Sequence, residues 1–152
     1  MAKDSPNNLE AHLGYWVRYV SNHVSHAFTQ KLAAKNVTVA EWVVLRELYS
    51  LGAVYPSELA EKLGMTRGAI SKLVERLRVK CLAERYAVES DARYQTIELT
   101  AAGKRLTPTL AKLADENDHE FFGHLTKSQR TEVANLLKDI VQRNGWKDLP
   151  IS

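Results

Sequence analysis

Apolar residues recur at threes and fours along most of this chain and alternate over one short region. From Leu9 to Ala34 the spacing of Leu9, Leu13, Trp16, Val17, Val20, Val24, Ala27, Phe28 and Leu32 predicts one long amphipathic helix ended by Asn36. Thr38 opens a second, with Glu41 at capping-box spacing, Trp42, Val43, Leu45, Leu48 and Tyr49 on its apolar face, and Gly52 as its stop. Pro56 and Ser57 begin a short third helix over Ser57 to Leu63, closed by Gly64. Thr66 caps a fourth that runs to Lys80, with Ala69, Ile70, Leu73, Val74 and Leu77 as a narrow apolar stripe. Strand-like runs then flank a turn-rich tip, Glu89-Ser90-Asp91-Ala92-Arg93, which predicts a hairpin. Thr100 restarts helix, with a kink expected near Leu106 to Pro108, and Thr126 with Gln129 caps a last helix that ends at Asn144-Gly145.

The order is helix, helix, helix-turn-helix, hairpin, helix, helix. The terminal helices carry more apolar surface than the small middle lobe can cover, so pairing with a second copy of the chain is expected. The fourth helix is the most informative element. Opposite its apolar stripe it shows Arg67, Gly68, Ser71, Lys72 and Arg76, a face that is basic, small and rich in donors. A helix that enters the DNA major groove needs that combination.

Composition sharpens this picture. The net charge of +3 is unremarkable, but between Gly64 and Lys80 five basic residues (Arg67, Lys72, Arg76, Arg78, Lys80) face one acid, Glu75. That segment alone therefore exceeds the whole-chain charge, a concentration that favours phosphate contact over a merely solvated face. The 152 residues are 45% hydrophobic and 26% charged, enough for a real core. One cysteine excludes an internal disulfide and fits a reducing, cytoplasmic compartment. Met1 to Asn8 is polar and short, so no secretory leader is expected, and no apolar run reaches membrane-spanning length. No nucleophile–base pair, glycine-rich phosphate loop or paired acidic motif speaks for an enzyme.

Three pieces of the sequence resemble the MarR family of winged helix-turn-helix transcription regulators. They are Thr38 to Leu45 (TVAEWVVL), the segment Leu59 to Leu82 containing Ser71 to Arg76 (SKLVER), and Asp91-Ala92-Arg93 followed by Leu99-Thr100 and Gly103. The last fits a D-x-R…L-T-x-x-G wing pattern. One departure stands out: Cys81 follows Lys80 where the family has glycine. The resemblance implies a mainly α fold with a small β-hairpin wing. It divides the chain into an N-terminal dimerisation helix (1–36), a winged helix-turn-helix lobe (37–100) and C-terminal dimerisation helices (101–152). The protein would be a homodimeric regulator, with repression more usual than activation, acting on a double-stranded operator and needing no cofactor.

The resemblance also implies roles for single residues. Arg67 and Lys72 would reach guanine edges and Ser71 a base or phosphate, with Gly68 allowing close backbone approach. Thr66 and the helix N-terminus would meet a phosphate, as would Arg76 and Arg78. Arg93 would enter the minor groove, and Asp91 would orient it or hold the turn. Many members bind an aromatic or phenolic carboxylate that releases DNA. Tyr15, Trp16, Tyr19 and Trp42, with Arg18 and Arg46, are the candidate lining, and dimer-core packing is the alternative for each aromatic. A metal-responsive variant would use His23 and His26, at i, i+3 on one helix face, with a carboxylate, the acidic segment around His119 being one source, and a redox-responsive one Cys81, which is more simply a buried structural thiol. A winged helix that binds only protein is the remaining rival.

Overall fold

A computed structural model describes residues 5–88 and 91–146, with the backbone alone over 91–93. Six α-helices and one hairpin follow in the expected order: α1 (Leu13–Ala33), α2 (Val39–Leu51), α3 (Pro56–Leu63), α4 (Arg67–Val79), β1 (Ala83–Val88), β2 (Asp91–Leu99), α5 (Ala101–Phe122) and α6 (Lys127–Arg143). The capping boxes at Thr38/Glu41 and Thr126/Gln129 both form, and Thr66 and Thr100 cap α4 and α5 through their side chains. The first helix is shorter than its periodicity predicts. Leu9–Ala11 is a separate 3-10 turn, and His12 is extended (φ −99°, ψ 126°). The Trp16 indole N–H donates to the Glu10 carbonyl at 2.9 Å, which holds this folded-back entry in place. Pro108 does not end α5, which continues as one element through it.

The core lies in the middle lobe. Val44, Leu45 and Leu48 of α2, Leu59 of α3, and Ile70, Leu73, Val74 and Leu77 of α4 meet Ala83, Ile97 and Leu99 of the hairpin, closed off by Leu32 and Leu110 from the flanking helices. Each of the Val, Leu and Ile side chains in this set contributes roughly 1.5–3 kcal/mol by leaving water. β1 and β2 are antiparallel with Ala83 opposite Leu99 and Arg85 opposite Ile97, and Val54 adds a bridge to Ile97 on the other edge. The predicted five-residue tip is narrower than expected: β2 already begins at Asp91, which pairs with Val88 after a register shift at Ala87. Gly103 is required where it stands, because a Cβ there would lie 2.1 Å from the Leu82 carbonyl oxygen.

Two local findings depart from the sequence pattern. The buried face of α2 includes Glu41, only 1% exposed, while Tyr49 faces solvent. Glu41 Oε1 accepts from the Thr38 N–H at 3.1 Å and from Lys80 Nζ at 3.0 Å, and Nζ also donates to the Asn36 carbonyl at 2.7 Å. Oε2 lies 2.8 Å from Nζ, an ion contact off the line of a hydrogen bond. Burial alone would raise the Glu41 carboxyl, but the Lys80 hydrogen bond, the Thr38 bonds and the Lys80 charge outweigh it and hold it below its usual range. The second finding is Cys81. It adopts the left-handed conformation (φ 62°) that glycine would take after α4, so the turn is kept and a side chain tolerates it. The Cys81 N–H donates to Arg78 and the Leu82 N–H to Leu77, both at 2.9 Å, the paired bonds of a Schellman cap. With its side chain turned outward, Cys81 is exposed rather than the buried thiol expected.

Two stability measurements follow. Cys81→Gly should stabilise the fold by about 1 kcal/mol, seen as a melting temperature raised by about 3 °C. For Glu41, the unfolded chain has the higher carboxyl pKa and so takes up a proton first as pH falls. Its contribution is therefore full above the ordinary glutamate range and is lost as pH drops through the depressed folded value. The stability gap between the wild type and Glu41→Gln should shrink steadily from about pH 6 to about pH 3 in denaturant titrations.

Candidate nucleic-acid interface

The helix-turn-helix is built by α3 and α4. Gly64, at φ 62°, turns the chain out of α3, and its N–H and that of Met65 return to the Glu61 and Ala60 carbonyls. Thr66 Oγ1 then accepts from the Ala69 N–H at 3.1 Å and starts α4. With Ile70, Leu73, Val74 and Leu77 buried, the remaining residues of α4 project away from the lobe. Thr66, Arg67, Gly68, Ser71, Lys72, Arg76 and Arg78 are all exposed on it, and a Cβ on Gly68 would meet nothing within 4 Å. The structure thus brings every candidate on α4 to one open surface.

The five basic residues of the segment do not act alike. Lys80 is withdrawn into the fold by Glu41. Arg78 is held by Glu75, Nε to Oε2 at 2.9 Å and Nη2 to Oε1 at 2.7 Å, so this pair is close to neutral toward an approaching anion. The Arg78 hydrogen bond holds the exposed Glu75 carboxyl below its ordinary range, and the same contact raises Arg78. Arg67, Lys72 and Arg76 have no ion pair among the described residues.

Sequence reasoning missed Arg85. The pleat of β1 sets Arg85 on the same face as buried Ala83, and the guanidinium runs beside α4 to within 3.4 Å of Ser71 Oγ. Arg85 and Arg67 line a cavity of about 490 Å³ together with Tyr55, Ser57, Tyr94 and Gln95, and the Tyr55 and Tyr94 rings meet edge to face at 6.4 Å. On the other flank Lys72 and Arg76 line a groove of about 390 Å³ with Ala40, Met65, Ala69 and Leu73. Cationic side chains therefore stand on both sides of α4. Only the hairpin register, fixed over long sequence separation, could have brought Arg85 into view. The side chains of Asp91 and Arg93 lie outside the described residues.

The predicted ligand lining does not come together. Tyr15, Trp16 and Tyr19 cluster on the first half of α1, with ring centroids 5.2–6.5 Å apart, and Tyr19 stacks on His23 at 5.0 Å. Trp42 instead packs edge to face on Phe28. Nine residues of helix, about 13 Å, separate Tyr19 from Phe28. Arg46 donates to Ser50 and lies over the Tyr49 ring. A cavity of about 640 Å³ with aromatic lining lies between α1, α5 and α6 and takes only Trp16 from the predicted set, with Val20, Phe121, Phe122 and Leu137. Among the described residues, no three His, Cys, Asp or Glu side chains converge as metal ligands would.

Comparison with known proteins agrees with this geometry. The family model described as the MarR family matches residues 35–93, which span α2, the helix-turn-helix and most of the wing. The multiple antibiotic resistance protein MarR of Escherichia coli (strain K12) is 25% identical over 130 residues, covering 85% of this chain and 90% of its own length. Among solved structures, the S. aureus MepR–DNA complex superposes with a TM-score of 0.77 at 23% identity, over 87% of this chain and 98% of that one. Bordetella bronchiseptica BpsR, solved in a study of how 6-hydroxynicotinic acid regulates its DNA binding, gives 0.75 at 22% identity, over 90% and 97%. These likenesses establish the winged-helix fold.

The division of charges on α4 has a measurable consequence. In titrations of nonspecific duplex DNA, Arg76→Gln should lower the slope of log affinity against log salt by about 1. The double substitution Glu75→Gln with Arg78→Gln removes a pair that is already neutral and should leave that slope unchanged.

Proposed function

We propose that this chain is a winged-helix transcription regulator of the MarR family and acts as a homodimeric repressor on a pseudo-palindromic DNA operator. The observation that carries the reading is α4 itself: an anchored helix with an open, donor-rich outer face and cations on both flanks. In this assignment Arg67, Ser71 and Lys72 read base edges in the major groove, with Gly68 admitting close approach. Thr66 and the first amides of α4 take a phosphate, Arg76 contacts the backbone, and Arg78 does so only when Glu75 releases it. Arg93, oriented by Asp91, serves the minor groove.

Support for the dimer comes from the ends of the chain. α6 contributes no buried residue, and Leu136, Leu137 and Ile140 are 59%, 48% and 48% exposed. On α1, Leu13, Trp16, Val17 and Val20 are exposed as well. A second copy laid over these faces is the partner of matching chemistry, which makes 1–36 and 101–152 dimerisation segments around the lobe at 37–100. No helix among the described residues is long and apolar enough to cross a membrane, in keeping with action in the cytoplasm. For the effector we assign a small aromatic or phenolic carboxylate that lowers operator affinity. The BpsR study offers a precedent in that protein. The groove beside α4 sets Lys72 and Arg76 against Met65 and Leu73, a lining suited to such a molecule.

Sedimentation at micromolar concentration should give a dimer, burying more than about 2,000 Å² in total. Duplexes selected from a random pool should show two protected half-sites about one helical turn apart in footprinting. A monomer, or protection of one isolated half-site, would overturn the reading.

A further inference from the structure

The Glu41–Lys80 pair lies behind the DNA-facing surface, yet it acts on the end of the helix that makes that surface. Lys80 directly follows Val79, the last residue of α4, and its ammonium bonds both the Glu41 carboxylate at the start of α2 and the Asn36 carbonyl just beyond α1. Asn36 is itself fixed in the left-handed conformation, φ 59°. One cation thus ties α4 to the corner between two scaffold helices.

The apolar anchors of α4 cannot supply the same constraint. Burial of Ile70, Leu73, Val74 and Leu77 is non-directional and tolerates small rotations that keep apolar area covered. Three polar contacts to one ammonium do not. α4 is about 20 Å long, so a tilt of about 5° pivoting at Lys80 would move Arg67 by nearly 2 Å, more than a base contact near 3 Å can absorb.

We propose that Glu41 and Lys80 are positioning residues for sequence reading: their buried ion pair fixes the angle at which α4 presents Arg67, Ser71 and Lys72 to the bases. The inference rests on α4 being the recognition helix. It reassigns Lys80, basic and next to the DNA-facing surface, from phosphate contact to geometry.

The test uses the full chain, duplexes that the wild type selects from a random pool, and random duplexes of equal length, each over several salt concentrations. The double variant Glu41→Gln with Lys80→Met keeps side-chain length and the Thr38 hydrogen bond but removes both charges. Glu41→Gln alone is the second variant, because the Lys80 side chain is 26% exposed and its charge can turn to water. Melting curves establish that each is folded at the assay temperature. The expected result is a fall of about tenfold in the ratio of selected to random affinity, the size of one lost base contact, with random-DNA affinity and salt slope unchanged. Lys80→Arg, which can keep the ion pair, should retain most of the ratio. An unchanged ratio in a folded variant overturns the proposal and leaves the pair a purely structural one. Equal weakening on both DNAs with a reduced salt slope also overturns it, since Lys80 would then touch phosphate. A wild type that selects no sequence at all defeats the DNA-reading assignment itself, an outcome distinct from either.

Discussion

A helix that must bury one face and leave the other bare is the constraint around which this lobe is arranged. Ile70, Leu73, Val74 and Leu77 give α4 its hold, and every element of the lobe contributes to the surface they sit on: Val44, Leu45 and Leu48 from α2, Leu59 from α3, Ala83, Ile97 and Leu99 from the hairpin. Because the apolar stripe is narrow, the outer half of the helix stays free of the core. The helix can then be at once well anchored and almost wholly available to a partner, which a helix with a broad apolar face could not be.

The polar contacts refine what the core allows. The same short segment carries five cations, and the structure divides them by environment. Glu41 takes Lys80 inward, Glu75 cancels much of Arg78, and Arg67, Lys72 and Arg76 are exposed with no ion pair among the described residues. Arg85 joins from the hairpin. Charge counted along the sequence overstates what this helix offers to phosphate, while the strand beside it restores part of the loss. The buried Glu41 carboxylate is tolerable only because Thr38 and Lys80 satisfy it, and a carboxylate left there alone would carry a heavy desolvation cost.

At the ends of the chain the constraint is reversed. α1 meets the lobe mainly through Leu32, and Lys31 reaches across to Asn117 and Glu120 on α5, but the outer apolar residues of α1 and α6 are left exposed by the described residues. α6 is joined to α5 by the Arg130–Asp118 ion pair and otherwise stands clear of the lobe. That asymmetry, a satisfied lobe carried between helices with exposed apolar faces, is what supports the proposed pairing with a second copy.

Elements and caps were legible in the sequence because they depend on neighbours three and four residues apart. The two capping boxes, the Gly64 turn, the Thr66 cap and the α4 stripe all obey that short range, and three local pieces carry the resemblance to the MarR family. Interactions over long separation were not legible. Nothing local shows that Glu41 meets Lys80 thirty-nine residues on, or that Arg85 reaches Ser71 across fourteen. The same limit explains where structure and sequence part. The resemblance puts Tyr15 and Trp42 in one candidate lining, but helix length keeps them apart within the chain. Cysteine's usual preference puts Cys81 inside, but the left-handed turn points it out. The turn-rich run predicts a five-residue tip, but strand register begins at Asp91. Local sequence determined which helices form and which face of each is apolar. Tertiary structure decided which charges remain free on the reading face, because pairing a charge requires bringing its partner through space, and only the packed core does that.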